Sequence, residues 1–166
     1  MKLRLILGMA ALAVAVGAAS PWALQGSRDA FAATDAVASI QARQQDMKTM
    51  GGQLRTINAY AKGDASDQAA ALAAIDTVLG IAATLETKFP AGSGMDSVSE
   101  PKTGAKPEIW SDPAKFKAAI GTFTEQATAM KTAISGGDQA AMQAAFAALG
   151  KTGCGTCHSS FRAKID

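Results

Sequence analysis

The chain is expected to fold as an all-α, antiparallel four-helix bundle. Four segments repeat apolar residues at three- and four-residue steps, and no segment alternates with the period of two that a half-buried strand would show. Strong start and stop signals separate the four segments.

The first helix is expected over about 34–61. Ile40, Met47, Leu54 and Ala61 fall seven apart, and Met50 and Ile57 fill the intermediate position, giving one apolar stripe. Gly63-Asp64 ends it, and Asp64, Ser66 and Asp67 are each suited to cap the next helix, about 67–87, with Leu72, Ile75, Leu79 and Ala82 on one face. A break rich in Gly, Pro, Ser and Thr follows over about 88–112, long enough for the chain to cross over. Ser111-Asp112-Pro113 then sets an N-cap aspartate before a first-turn proline. The third helix repeats Phe116, Ile120, Phe123, Ala127, Met130 and Ile134, and stops at Gly136-Gly137. Asp138 caps the last, which turns Met142, Phe146 and Leu149 inward and runs on to Phe161 and Ile165.

At 166 residues there is room for one domain. Hydrophobic residues make up 48% and charged residues 18%, which excludes both a disordered chain and a membrane protein throughout. Aromatic residues are only 5%, so a core of Ala, Leu, Ile and Met would be thin, with space for something else to fill.

Residues 1–32 read as an export signal. Lys2 and Arg4 precede an apolar run from Leu5 to Ala19 that is short for a membrane span, and Ala30-Phe31-Ala32 offers a small-x-small cleavage site, with a cut after Ala19 as the alternative. The mature domain would be 33–166, in the periplasm and not inserted in the membrane. Cleavage after Ala32 removes Lys2, Arg4, Arg28 and Asp29, leaving 13 basic residues of 16 and 13 acidic of 14. A neutral mature chain argues against nucleic acid or anionic lipid as the main partner.

The chemistry is concentrated near the end, in Gly153-Cys154-Gly155-Thr156-Cys157-His158. It holds both cysteines and the single histidine of the chain. On a helix, residues three and four apart project from one face. A disulfide between Cys154 and Cys157 would be a local clip and leaves His158 unexplained. A thioredoxin-like pair needs a βαβ setting, and a structural zinc needs four ligands where only three Cys or His residues exist. Covalent haem attachment uses all three: the thiols add to the two haem vinyl groups and the imidazole reaches the iron, the C-x-x-C-H signature. A buried porphyrin also fills a thin core, and Gly153 and Gly155 suit a backbone passing close to it. No second histidine is present for the iron's other face, so a Met thioether is the remaining candidate, from Met47, Met50, Met95, Met130 or Met142; for each, plain core packing is the competing role.

Over its mature length the chain resembles the class II c-type cytochromes, the cytochrome c-prime family with its low-spin cytochrome c-556 branch. The resemblance is carried by "ARQQDMKTMGG", "AKPEIW" and the C-terminal "CGTCHSSFR". It implies that Met47, four after Arg43, faces the iron. It further implies that Arg43, Gln44 and Arg162 lie near the haem propionates or edge, with Phe161 beside the proximal histidine. Surface solvation for Arg43 and Gln44, and core filling for Phe161, are the competing roles. High-spin members of the family bind nitric oxide or carbon monoxide at an open sixth position, whereas in the c-556 branch a Met from the first helix ligates. Met47-Lys48 and the "FPAGSG…AKPEIW" loop are more similar to the second group. The expected function is therefore a one-electron carrier with one haem c, not an enzyme. Asp46 and Glu125 are expected to be solvated. Lys151, Arg162 and Lys164 would guide an acidic redox partner, and the first two helices offer a homodimer face.

Overall fold

A computed structural model describes the backbone of residues 21–165 and the side chains from Thr34 to Ile165. The expected signal at 1–32 falls outside the described residues, apart from the helical backbone of 21–32. The helices are α1 (Pro21–Lys62), α2 (Gln68–Thr84, continued by a 3-10 turn Leu85–Lys88), α3 (Glu108–Ser111), α4 (Pro113–Gly136), α5 (Gln139–Ala148) and α6 (Gly155–Phe161), with one π-helical stretch, Leu149–Cys154, joining α5 to α6. Among the described residues there is no strand, only one isolated antiparallel bridge between Ala105 and Arg162.

Capping explains the boundaries. Asp67, rather than Asp64 or Ser66, caps α2 by accepting from the Ala70 N–H at 2.9 Å. Asp112 does the same for Lys115 at 3.1 Å with Pro113 opening α4, and Asp138 for Ala141 at 2.7 Å. Gly137 ends α4 at φ 72°, the left-handed conformation that glycine adopts without steric cost.

Helix α1 packs on α2, α2 on α4 and α4 on α5, and α5 closes the ring against α1. Gln68 at the start of α2 donates to the Ile134 carbonyl at the end of α4, while Phe89 beyond α2 meets Phe116 at the start of α4. The directions therefore alternate around the bundle. The buried spine is Ile40, Ile57, Ile75, Val78, Met130, Ile134 and Leu149, all fully enclosed. On α2 the buried face is Ala71, Ala74, Ile75, Val78 and Ala82, with the expected Leu72 and Leu79 at its margin: small residues take the centre, where helices approach closely, and leucines flank it.

Three expectations are corrected. The 88–112 connection does not cross the bundle; it stays at one end, where Arg43 and Gln44 of α1 and the residues after α6 hold it. Asp46 is not solvated but ion-paired to Lys88 at 3.0 Å. The last helix stops at Phe161 because the chain turns extended at Arg162 to pair with Ala105, leaving Ile165 49% exposed.

Met130→Ala, in the fully enclosed spine, should lower unfolding free energy by about 2–5 kcal/mol through lost burial and the cavity left behind, measured by denaturant unfolding.

Candidate haem site

The core is divided. A large cluster spans the bundle from Met50 to Leu149, and a smaller one holds Ala105, Ile109, Phe116, Ala119 and Phe161 at the end where the long connection sits. Between them lies a mainly apolar cavity of about 660 Å³. One cluster packs Met47, Leu54 and Cys154 at its edge, and the other packs Ile120 and Cys157. These half-buried residues all line the cavity: they stand at the edge of packing because they face the open space.

Local structure brings the cysteine motif to this cavity by a change of helical phase. In an unbroken helix, the inward line through Met142, Phe146 and Leu149 would continue at three- and four-residue steps to Gly153, Thr156 and Ser160. Instead, the π stretch bonds the Gly155 N–H to the Gly150 carbonyl and absorbs one extra residue. The line then continues through Cys154, Cys157 and Phe161, and Thr156 turns to solvent. Gly153 is tightly packed where it lines the cavity: a Cβ on it would stand 3.1 Å from Leu149 Cδ1 and 3.4 Å from Phe123, so those side chains would have to give by a few tenths of an ångström. At Gly155 a Cβ would meet only the Gly150 carbonyl, at 3.4 Å.

Cys154, Cys157 and His158 are half-buried and all line the cavity, and both cysteines are free. Burial pushes both thiols above their usual pKa, Cys157 also through its proximity to Cys154. Burial, and then the Arg162 charge, pull His158 below its usual value, favouring the neutral imidazole that can ligate a metal.

From α1, Arg43, Gln44, Met47 and Met50 line the same cavity. Met130 and Met142 are spent in the bundle core and Met95 is exposed on the connection; none of the three borders the cavity. Arg43 is only 4% exposed, not a solvated surface residue. Its guanidinium donates to both the carbonyl and, at 2.9 Å, the hydroxyl of Ser93, to the Lys88 carbonyl at 3.3 Å and to Thr103 Oγ1 at 3.1 Å. It also stacks 4.8 Å above the Phe89 ring, and burial lowers its pKa to about 10. Gln44 is half-buried and donates to the Lys102 carbonyl at 2.8 Å. Phe161 is 4% exposed and sits edge-on to Phe116 at 5.1 Å. Arg162 is exposed at the rim.

Sequence patterning missed the wall that the long connection supplies: Phe89, Thr103, Gly104, Ala105 and Ile109 all line the cavity. Composition hides it, because the segment has no periodicity. The heptad pair Met47 and Leu54 was a usable signal, since both look into the cavity from one stripe.

The fit to a haem is good by donor chemistry, size and apolar lining. Two thiols and one imidazole from the C-terminal helix open into an apolar space of the size that holds a small-molecule cofactor. Deleting the exposed Thr152 should remove the residue that the π stretch absorbs, so that the helix closes as regular α-helix with Cys154, Cys157 and Phe161 still on the inward line. The expected result is unchanged helical circular dichroism and an unchanged haem-to-protein ratio, whereas deleting the exposed Lys151 as well should turn the motif by about 100° away from the cavity and lower that ratio.

The family model described as Cytochrome C' matches residues 38–162. The chain is 34% identical over 125 residues to cytochrome c' of Pararhodospirillum photometricum, covering 75% of this chain and 96% of that protein. It is 33% identical over 130 residues to cytochrome c-556 of Agrobacterium fabrum, covering 78% and 84%. Among solved structures, a nitric oxide complex of a cytochrome c prime variant from Alcaligenes xylosoxidans superposes with a TM-score of 0.65 at 28% identity, covering 76% and 94%. With its C-x-x-C-H motif turned into an apolar cavity at one end of a four-helix bundle, this chain belongs to the cytochrome c' family, whose cofactor is one covalently attached haem c.

Proposed function

We propose that the chain is an exported one-electron carrier, with Cys154 and Cys157 holding the haem through thioethers and His158 and Met47 as its axial ligands. One observation carries this reading: a single cavity receives both thiols and the imidazole from the last helix, and from α1 two of the five methionines that follow the signal. Of those two, Met50 is 7% exposed and packed into the bundle core, whereas Met47 stands half-buried at the cavity edge.

The bound haem supplies the one-electron chemistry of its iron; the chain holds it, orients it and keeps water away. Leu54, Ile109, Ile120 and Phe123 make the walls apolar, which disfavours added charge and so helps set the potential. Arg43, whose hydrogen bonds go to the connection, brings a buried positive charge to the lining and Arg162 an exposed one at the rim, both suited to the anionic edge of the haem. Phe161 backs the helix that carries His158.

Gas binding is the second reading, favoured by the nitric oxide complex of a relative. The two separate by spectroscopy. The oxidised holoprotein should be low-spin, and Met47→Ala should convert it to high-spin and let carbon monoxide bind the reduced iron readily. A parent protein already high-spin would sink Met47 ligation and promote gas binding.

Export to the periplasm is supported by the basic, apolar and small-residue order of residues 1–32 and by a family match that begins at residue 38. For a redox partner with an acidic surface, Lys48 and Arg162 at the cavity rim, with Lys164 just beyond, present the exposed charge. A second copy of the chain is proposed to cover α2. Within Gln68–Lys88, long and apolar enough to cross a membrane, the most apolar 18-residue window reaches a mean hydropathy of 1.6, yet only 33% of that window is buried within the bundle. Its ion pair from Asp76 to Lys131 at 2.6 Å and its packing on α1 and α4 make it a bundle helix. Sedimentation of the mature holoprotein should give a dimer, and Ala73→Glu on the exposed face should give a monomer.

A further inference from the structure

The segment from Lys102 to Lys106 touches both sides of the cavity. On one side it is tied to α1: Arg43 donates to Thr103 Oγ1 at 3.1 Å and Gln44 to the Lys102 carbonyl at 2.8 Å. On the other side it pairs with the end of α6. The Lys106 N–H donates to the Phe161 carbonyl at 3.1 Å, the Ala163 N–H to the Gly104 carbonyl at 2.8 Å, and Lys106 Nζ to the Ser160 carbonyl at 3.0 Å. Between these ties Thr103, Gly104 and Ala105 form part of the cavity wall.

The positions of the ties give the segment its significance. Arg43 and Gln44 lie one helical turn before Met47, and Ser160 to Ala163 lie two to five residues after His158. Five extended residues reach no further than about 18 Å, so the segment caps the separation of the two ends it joins. Gly104 makes the close pairing feasible: any Cβ there would run into the Ala163 carbonyl oxygen. The α1 end is equally committed, because Arg43 spends its other donors on Ser93 and Lys88, further points on the same connection.

We propose that Lys102–Lys106 is a positioning strap which sets the spacing between the helix bearing His158 and the helix bearing Met47, and so controls access to the sixth position of the iron. Resting on the axial assignment above, the strap holds Met47 in place when tied and releases it to a small ligand when loosened. Arg43, Gln44, Thr103 and Gly104 act through position, not by contact with the iron.

The test uses covalently loaded holoprotein. Gly104→Ala forces the strap off the α6 end, and Gln44→Leu with Thr103→Val removes its two side-chain hydrogen bonds to α1. Each should keep a full haem-to-protein ratio, add a high-spin component to the oxidised spectrum, and speed carbon monoxide binding to the reduced protein by about tenfold, as loss of ordinary hydrogen bonds shifts a two-state population. If Gly104→Ala does not accumulate, the double variant decides alone. Folded, loaded variants with unchanged spectrum and carbon monoxide rate would overturn the strap. Failure of the axial assignment is separately visible: the parent would be high-spin, and the strap would then stand or fall on the carbon monoxide rate alone.

Discussion

Everything at the functional end depends on helical phase. The same helix must turn Met142 and Leu149 into the bundle core and, within another three turns, present two cysteines and a histidine to a cavity. A regular α-helix would bring Thr156 and Ser160 to that face instead. The π stretch at Leu149–Cys154 resolves the conflict by absorbing one residue, and Gly153 lets the distorted backbone lie against Phe123 and Gln126 of α4. Core packing and cofactor presentation thus share one element with two registers.

The bundle itself was largely legible because its signals are local. Asp67, Asp112 and Asp138 were readable as caps, and the apolar spacing of α4 matches its buried residues closely, with Ile120 displaced only because it faces the cavity. The cysteine motif was legible as chemistry, since few uses consume two thiols and an imidazole at that spacing. The phase slip was not, because nothing in "LGKTGC" distinguishes a π stretch from an α-helix weakened by glycine.

The 88–112 connection was the least legible part, for a physical reason. Its order comes from side chains far away in sequence: Arg43, which organises it, is 45 to 60 positions from its acceptors. A segment held by one buried guanidinium, one bridge and scattered side-chain and main-chain bonds has no period to read. The same distance effect turned Asp46 from an expected surface charge into the partner of Lys88, which reinforces the tie at the start of the connection.

Arg43 has one more consequence. Its two terminal nitrogens reach four acceptors on three separate residues while its flat face lies on Phe89, and among the described residues no carboxylate is paired with it. A lysine would carry the same charge but has a single nitrogen with no plane to stack and too narrow a spread to reach all three. At this position charge and shape are inseparable, so the exchange usually counted as conservative is here a change of architecture.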